Sequence, residues 1–182
     1  MPVSAQTRNQ VRQRAGFACE YCGVSETDVG SELTIDHFQP QSKGGDDRLE
    51  NLIYCCTRCN EYKGSYWPEQ LDEQTLWNPR NEPASLHFVA DENGTLNPLT
   101  STGALTIRLL HLNRQPLIDY RLKARLQSRQ TELLNSYRGF MQLSADLLAR
   151  QAELLNEQQE VLLRQQSLLE KLLSIPTNDE HE

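Results

Sequence analysis

Two Cys-x-x-Cys pairs constrain this chain more than any other feature. They are Cys19/Cys22 and Cys56/Cys59, and 33 residues separate Cys22 from Cys56. Each two-residue spacer lets both sulfurs reach one ion from a single turn. Four thiolates close a tetrahedral site and leave no open position for chemistry. The pattern therefore reads as one structural Zn²⁺ that staples a small unit. A redox pair is the alternative reading, but it needs no second pair and belongs with a thioredoxin-like pattern. Cys55 is the fifth cysteine and reads as a buried apolar filler. Thiols used in this way indicate a reducing compartment, so a cytoplasmic location is expected.

Between the pairs lies Asp36-His37, and Asn60 directly follows the last cysteine. Leu33-Thr34-Ile35 has the character of a short strand ending in that dipeptide. Neighbours on a strand point to opposite faces. The natural division has Asp36 ligating a metal and His37 facing a water. A histidine of ordinary pKa, about 6.5, takes a proton from water near neutrality. Asn51, on the returning segment, is the expected orienting partner of His37. Asn60 offers a neutral oxygen beside Asp36. One carboxylate and one amide make a sparse cage, which suits Mg²⁺.

The stretch from Val11 to Ser65 closely resembles the HNH endonuclease family. The resemblance rests on Cys19-Glu20-Tyr21-Cys22-Gly23, Leu33-Thr34-Ile35-Asp36-His37, Pro40 to Gly45, Leu49-Glu50-Asn51-Leu52, Cys56-Thr57-Arg58-Cys59-Asn60, and Lys63-Gly64. It implies a ββα-metal fold with a four-cysteine zinc. It implies His37 as general base, Asp36 as metal ligand and Asn51 as the group fixing His37. Asn60 stands where the family's name has its last histidine, and Lys63 matches a basic residue near the phosphate. The implied activity is hydrolysis of phosphodiester bonds in DNA, with RNA left open, using one Mg²⁺ or Mn²⁺. Lys43, Arg48, Arg58 and Lys63 are the expected phosphate contacts, with the basic band 114–129 as a further candidate. A non-cleaving zinc-stabilised nucleic-acid-binding module and a coiled-coil scaffold are the rival readings.

The rest of the chain reads in three parts. Residues 1–66 form the nuclease unit, and residues 67–114 a connecting region. The latter holds a hairpin around Glu92-Asn93-Gly94 and a helix capped by Ser101 or Thr102 that runs through Leu110-His111-Leu112. Residues 115–175 read as one long helix. Between Leu117 and Ile175 there is no proline, and Gly139 is the lone glycine. Apolar pairs recur every seven residues from Leu133-Leu134 to Leu168-Leu169. A heptad kept this long signals a coiled coil and hence a homo-oligomer. The alternative is a helical hairpin folded at Gly139. Residues 176–182 read as a disordered tail, His181 among them. The fold class expected is α+β: a small zinc-stabilised unit, then a mainly helical region.

Charge is polarised. The net charge is −7. Arg114, Arg121, Lys123, Arg125 and Arg129 stand against Asp119, and residues 130–182 hold nine acids against four bases. No leader-like apolar run follows Met1, and no membrane span is expected. His87 and His111 sit among apolar neighbours and read as packed or exposed, not as ligands. Trp67 and Trp77 read as core for a unit too small to build one alone.

Overall fold

The computed structural model describes residues 3–70 and 73–173. Helix α1, Ala5–Arg14, starts where the Ser4 hydroxyl accepts from the Thr7 amide. It buries Val11 and ends at the C-cap Ala15, after which Gly16, at φ +60°, turns the chain away. The first cysteine pair follows, and then a one-turn helix α2, Glu26–Val29, held by a Ser25/Asp28 capping box. Strand β1, Thr34–His37, pairs antiparallel with β2, Leu52–Cys55, in the register Asp36↔Ile53 and His37↔Leu52. All four β2 residues are fully buried. Helix α3, Thr57–Lys63, begins with Cys56 as its cap residue and ends at Gly64. This is the β-β-α arrangement that the resemblance implied, stapled at both ends by cysteines.

The described strands form two two-stranded sheets. The second pairs β3, Phe88–Ala90, with β4, Leu96–Pro98. Gly94 supplies the left-handed residue of their turn, at φ +80°. Helix α4, Ser101–Leu109, is capped by Thr100, one residue before the expected position. It stops before His111, which adopts φ +47° and so lies outside any helix. The final helix α5 runs Gln115–Leu173. Pro116 falls in its first turn, where a missing N–H costs nothing. Small sheets with mostly helical surroundings make the fold α+β.

One core unites these pieces. Val11, Tyr21, Leu33, Leu52, Ile53 and Tyr54 meet Trp77, Phe88, Leu110, Leu112 and Leu117. The Trp77 ring packs edge-on against Tyr21 and Phe88, with centroids 6.5 and 5.3 Å away. Residues beyond the β-β-α unit therefore supply the apolar mass that the unit lacks. By packing, the chain divides into two units, Met1–Leu126 and Gln127–Glu182. Residues 67–114 belong with the first.

The second unit is the remainder of α5, which continues through Gly139 without a break. Its heptad side chains, such as Leu133, Leu147, Leu155 and Leu162, are each more than half exposed. No described helix is long and apolar enough to cross a membrane. The expected disordered tail, 176–182, lies outside the described residues.

Candidate functional site

The four cysteines converge. Their sulfurs all lie within 4.8 Å of one another, and Cys22 Sγ lies 3.8 Å from Cys56 Sγ. A tetrahedron with Zn–S bonds of about 2.3 Å sets its sulfurs about 3.8 Å apart. The donor set and spacing thus fit zinc. Each pair closes a knuckle in which the second cysteine's amide faces the first sulfur: Cys22 N to Cys19 Sγ at 3.5 Å, and Cys59 N to Cys56 Sγ at 3.4 Å. Gly23, at φ +79°, turns the chain out of the first knuckle. The Arg114 guanidinium lies 3.9 Å from Cys59 Sγ, donating toward a sulfur that carries charge when metal-bound. Cys55, one residue away, faces elsewhere. It is buried against Thr34, and burial pushes its thiol far above the ordinary range.

Beside this clamp sit Asp36 and His37, and pairing with β2 sends them to opposite sides. Asp36 faces inward toward α3. Its Oδ2 lies 3.0 Å from Lys63 Nζ, with side-chain exposures of 11% and 0%. That oxygen receives no aligned hydrogen bond, so the contact is ionic. Burial pushes the Asp36 carboxyl up, while the Lys63 charge pulls it back down. Lys63 also donates to the His37 carbonyl at 2.7 Å. The expectation that Lys63 meets a substrate phosphate is therefore corrected. Its ammonium is enclosed between β1 and α3, and its charge is spent on Asp36. Asn60 is half-buried on α3, three residues before Lys63. Residues three apart share a helix face, so Asn60 stands on the face turned toward β1.

His37 faces the other way, toward the loop 38–51. Its Nε2 lies 2.7 Å from Asp47 Oδ1. Asn51, the expected partner, does not meet the imidazole. Its amide is used at both ends on the loop backbone: Oδ1 accepts from Gln39 N at 2.8 Å, and Nδ2 donates to the Gln39 and Asp46 carbonyls at 3.1 and 2.8 Å. Asn51 thus shapes the loop that carries Asp47. Sequence reasoning missed Asp47. The available signal was an acid near two glycines ten residues past the histidine.

The remaining expected phosphate contacts lie on the surface, each beside an acid. Lys43 pairs with Glu69 at 2.9 Å, Arg48 with Asp46 at 2.5 Å, and Arg58 with Glu61 at 3.0 Å. Such exposed pairs are worth about 0–1 kcal/mol each, so their cations exchange partners easily. The band 114–129 divides. Arg114 and Arg121 turn inward and cap carbonyls: Arg114 on Leu110, Arg121 on Gly94 and Leu112. Arg125 donates to the Glu92 carbonyl. These arginines anchor the start of α5 instead of presenting a charged face.

The other candidates behave as packing. His87 is buried between Thr100 and Glu82, at 2.7 and 2.5 Å. His111 packs at a tilt against Tyr62, with centroids 4.5 Å apart. Trp77 is core, and half-buried Trp67 packs edge-on against Phe38.

Residues 19–65 match the family model described as HNH endonuclease. A curated relative, the CRISPR-associated endonuclease Cas9 of Corynebacterium diphtheriae, is 41% identical over 59 residues. That match covers 32% of this chain and spans 5% of the relative's length. No solved structure matches.

Proposed function

Starting from the HNH endonuclease domain at residues 19–65, we propose that this chain is a metal-dependent endonuclease that hydrolyses phosphodiester bonds in DNA. The observation that supports it most is the division of labour across β1. Asp36 is turned inward onto Lys63 of α3, and His37 is turned outward onto Asp47.

His37 accepts the proton of a water as its oxygen bonds to phosphorus. The bond from phosphorus to the 3′ oxygen breaks, and that oxygen is protonated by solvent. Asp36 and Asn60 would hold Mg²⁺ or Mn²⁺. The fit rests on the donor chemistry of a carboxylate and an amide; the ion would share the Asp36 carboxylate with the Lys63 ammonium, which lies 3.0 Å from its Oδ2. When bound, the ion supplies Lewis-acid charge at the phosphate and the leaving oxygen. The four cysteines would hold Zn²⁺ and, through the adjacency of Cys59 and Asn60, fix one side of this arrangement. Lys43, Arg48 and Arg58 would trade their surface acids for backbone phosphates, giving a salt-sensitive affinity. Free thiols arranged for a metal support a reducing, cytoplasmic setting.

The exposed heptad pairs of α5 support one further element, self-association through the long helix. A homodimer would present two single-strand cutters to opposite strands. Zinc-loaded protein should nick supercoiled plasmid with Mg²⁺ or Mn²⁺ and stop in EDTA. Intact plasmid under every metal condition, with the fold intact, would leave the non-cleaving binding module as the reading.

A further inference from the structure

The endonuclease reading leaves the outward side of His37 unexplained, since Asn51 does not touch its ring. A neutral imidazole has one N–H and one lone-pair nitrogen, and the partner of one nitrogen decides which is which. Here Nε2 lies 2.7 Å from Asp47 Oδ1. An ionised carboxylate accepts and cannot donate, so Nε2 must carry the hydrogen. The Asp47 carboxyl is in fact held below its usual range, chiefly by the hydrogen bond from His37.

The loop is built to hold Asp47 there. Gln41 Nε2 donates to the same Oδ1 at 2.9 Å. Gly44 takes φ +85°, and Gly45 passes so close to Gln39 that an added Cβ would lie 1.8 Å from its carbonyl oxygen. Asn51 Nδ2 then ties the Asp46 carbonyl down at 2.8 Å. A tight turn, a side-chain brace and an amide clamp converge on one carboxylate. Of the other charges near His37, Lys63 meets its backbone carbonyl and Asp36 lies across the strand. Among the described residues, Asp47 is the charged group on the ring itself.

We infer that Asp47 is a positioning residue: it fixes His37 as the Nε2–H tautomer and leaves Nδ1 to take the proton from water. This rests on the proposed endonuclease reading for its consequence, but not for its geometry. Asp47 stays ionised while His37 Nδ1 gains the proton, so the carboxylate also faces the imidazolium that forms. A serine-protease aspartate orients its histidine by the same physics. Gln41 acts one step further out, by aiming Asp47.

The test has two independent readouts on full-length, zinc-loaded protein. Nitrogen-15 imidazole NMR at a pH where His37 is neutral, assigned by the signal lost in His37→Ala, reads the tautomer without any substrate. Wild type should show one Nε2–H tautomer, and Asp47→Ala a mixture. Asp47→Asn keeps the shape but offers an amide that donates as well as accepts, so it should also lose the single Nε2–H tautomer. Plasmid nicking by Asp47→Ala should lose kcat by roughly 100-fold with KM within about twofold, as expected when an orienting group is removed. An unchanged His37 tautomer in Asp47→Ala overturns the inference, whatever the nicking rate. Wild-type protein that never nicks DNA overturns the endonuclease reading instead, and the NMR comparison still decides the role of Asp47.

Discussion

Removing the Asp36 carboxylate should destabilise as well as inactivate, and the structure sets the size of the effect. Lys63 Nζ is fully enclosed and keeps two partners, Asp36 Oδ2 at 3.0 Å and the His37 carbonyl at 2.7 Å. Asp36→Ala leaves a buried ammonium with the carbonyl alone. Breaking a buried pair from one side costs about 3–5 kcal/mol. The surviving carbonyl bond and the slight exposure of Asp36 reduce that to about 2–4 kcal/mol. A globular unit of this size shifts its Tm by several degrees per kcal/mol, so the melting point should fall by roughly 6–20 °C. Adding Lys63→Met removes the stranded charge and should restore most of the loss, while cleavage stays absent. Calorimetry of wild type, both single variants and the double variant closes the cycle. An unchanged Tm in Asp36→Ala would refute the claim that Lys63 depends on that carboxylate. So would a double variant no more stable than Asp36→Ala alone.

Three more outcomes follow from the packing. Glu26 is held down to about 2, chiefly by Arg12 and then by the Tyr54 hydroxyl. A depressed carboxyl stabilises the fold fully above its ordinary value near 4.5 and ceases to do so as pH falls through 2. The gap in urea midpoint between wild type and Glu26→Gln should therefore be widest at pH 5 and above, and close toward pH 2. Tyr54→Phe strands the buried Leu33 amide, which donates to the hydroxyl at 2.8 Å, and should cost about 1–3 kcal/mol by urea titration. Metal analysis should find one zinc per chain. Stripping it should collapse the near-ultraviolet circular dichroism, whereas removing Mg²⁺ alone should leave that spectrum intact.

The elements were legible where local chemistry decides them. Ser4 caps α1 through its hydroxyl, Gly94 turns the hairpin because it tolerates positive φ, and Pro116 opens α5 because a first turn needs no N–H there. The cysteine cluster was legible for the same reason, since a two-residue spacer fixes its own geometry. What stayed hidden were side chains whose direction depends on distant packing. Lys63 looks like a surface lysine, and only the pairing of α3 with β1 shows its ammonium enclosed. Arg114 and Arg121 look like a basic face until α5 is docked against the knuckles and the hairpin. Asp47 reaches His37 because two glycines and Asn51 fold the loop back, and no periodicity announces that. Asn51 was expected at His37 and instead holds the loop, one step removed from the ring.

The central claim is that His37 is the base of a nuclease organised on a cysteine-bound metal. Single-turnover nicking by wild type and His37→Ala, at equal zinc content and saturating Mg²⁺, tests it directly. Loss of a positioned general base costs about 10²–10⁴ in rate, so the variant should nick at least 100-fold more slowly with its fold and zinc unchanged. Equal rates for the two proteins would contradict the account.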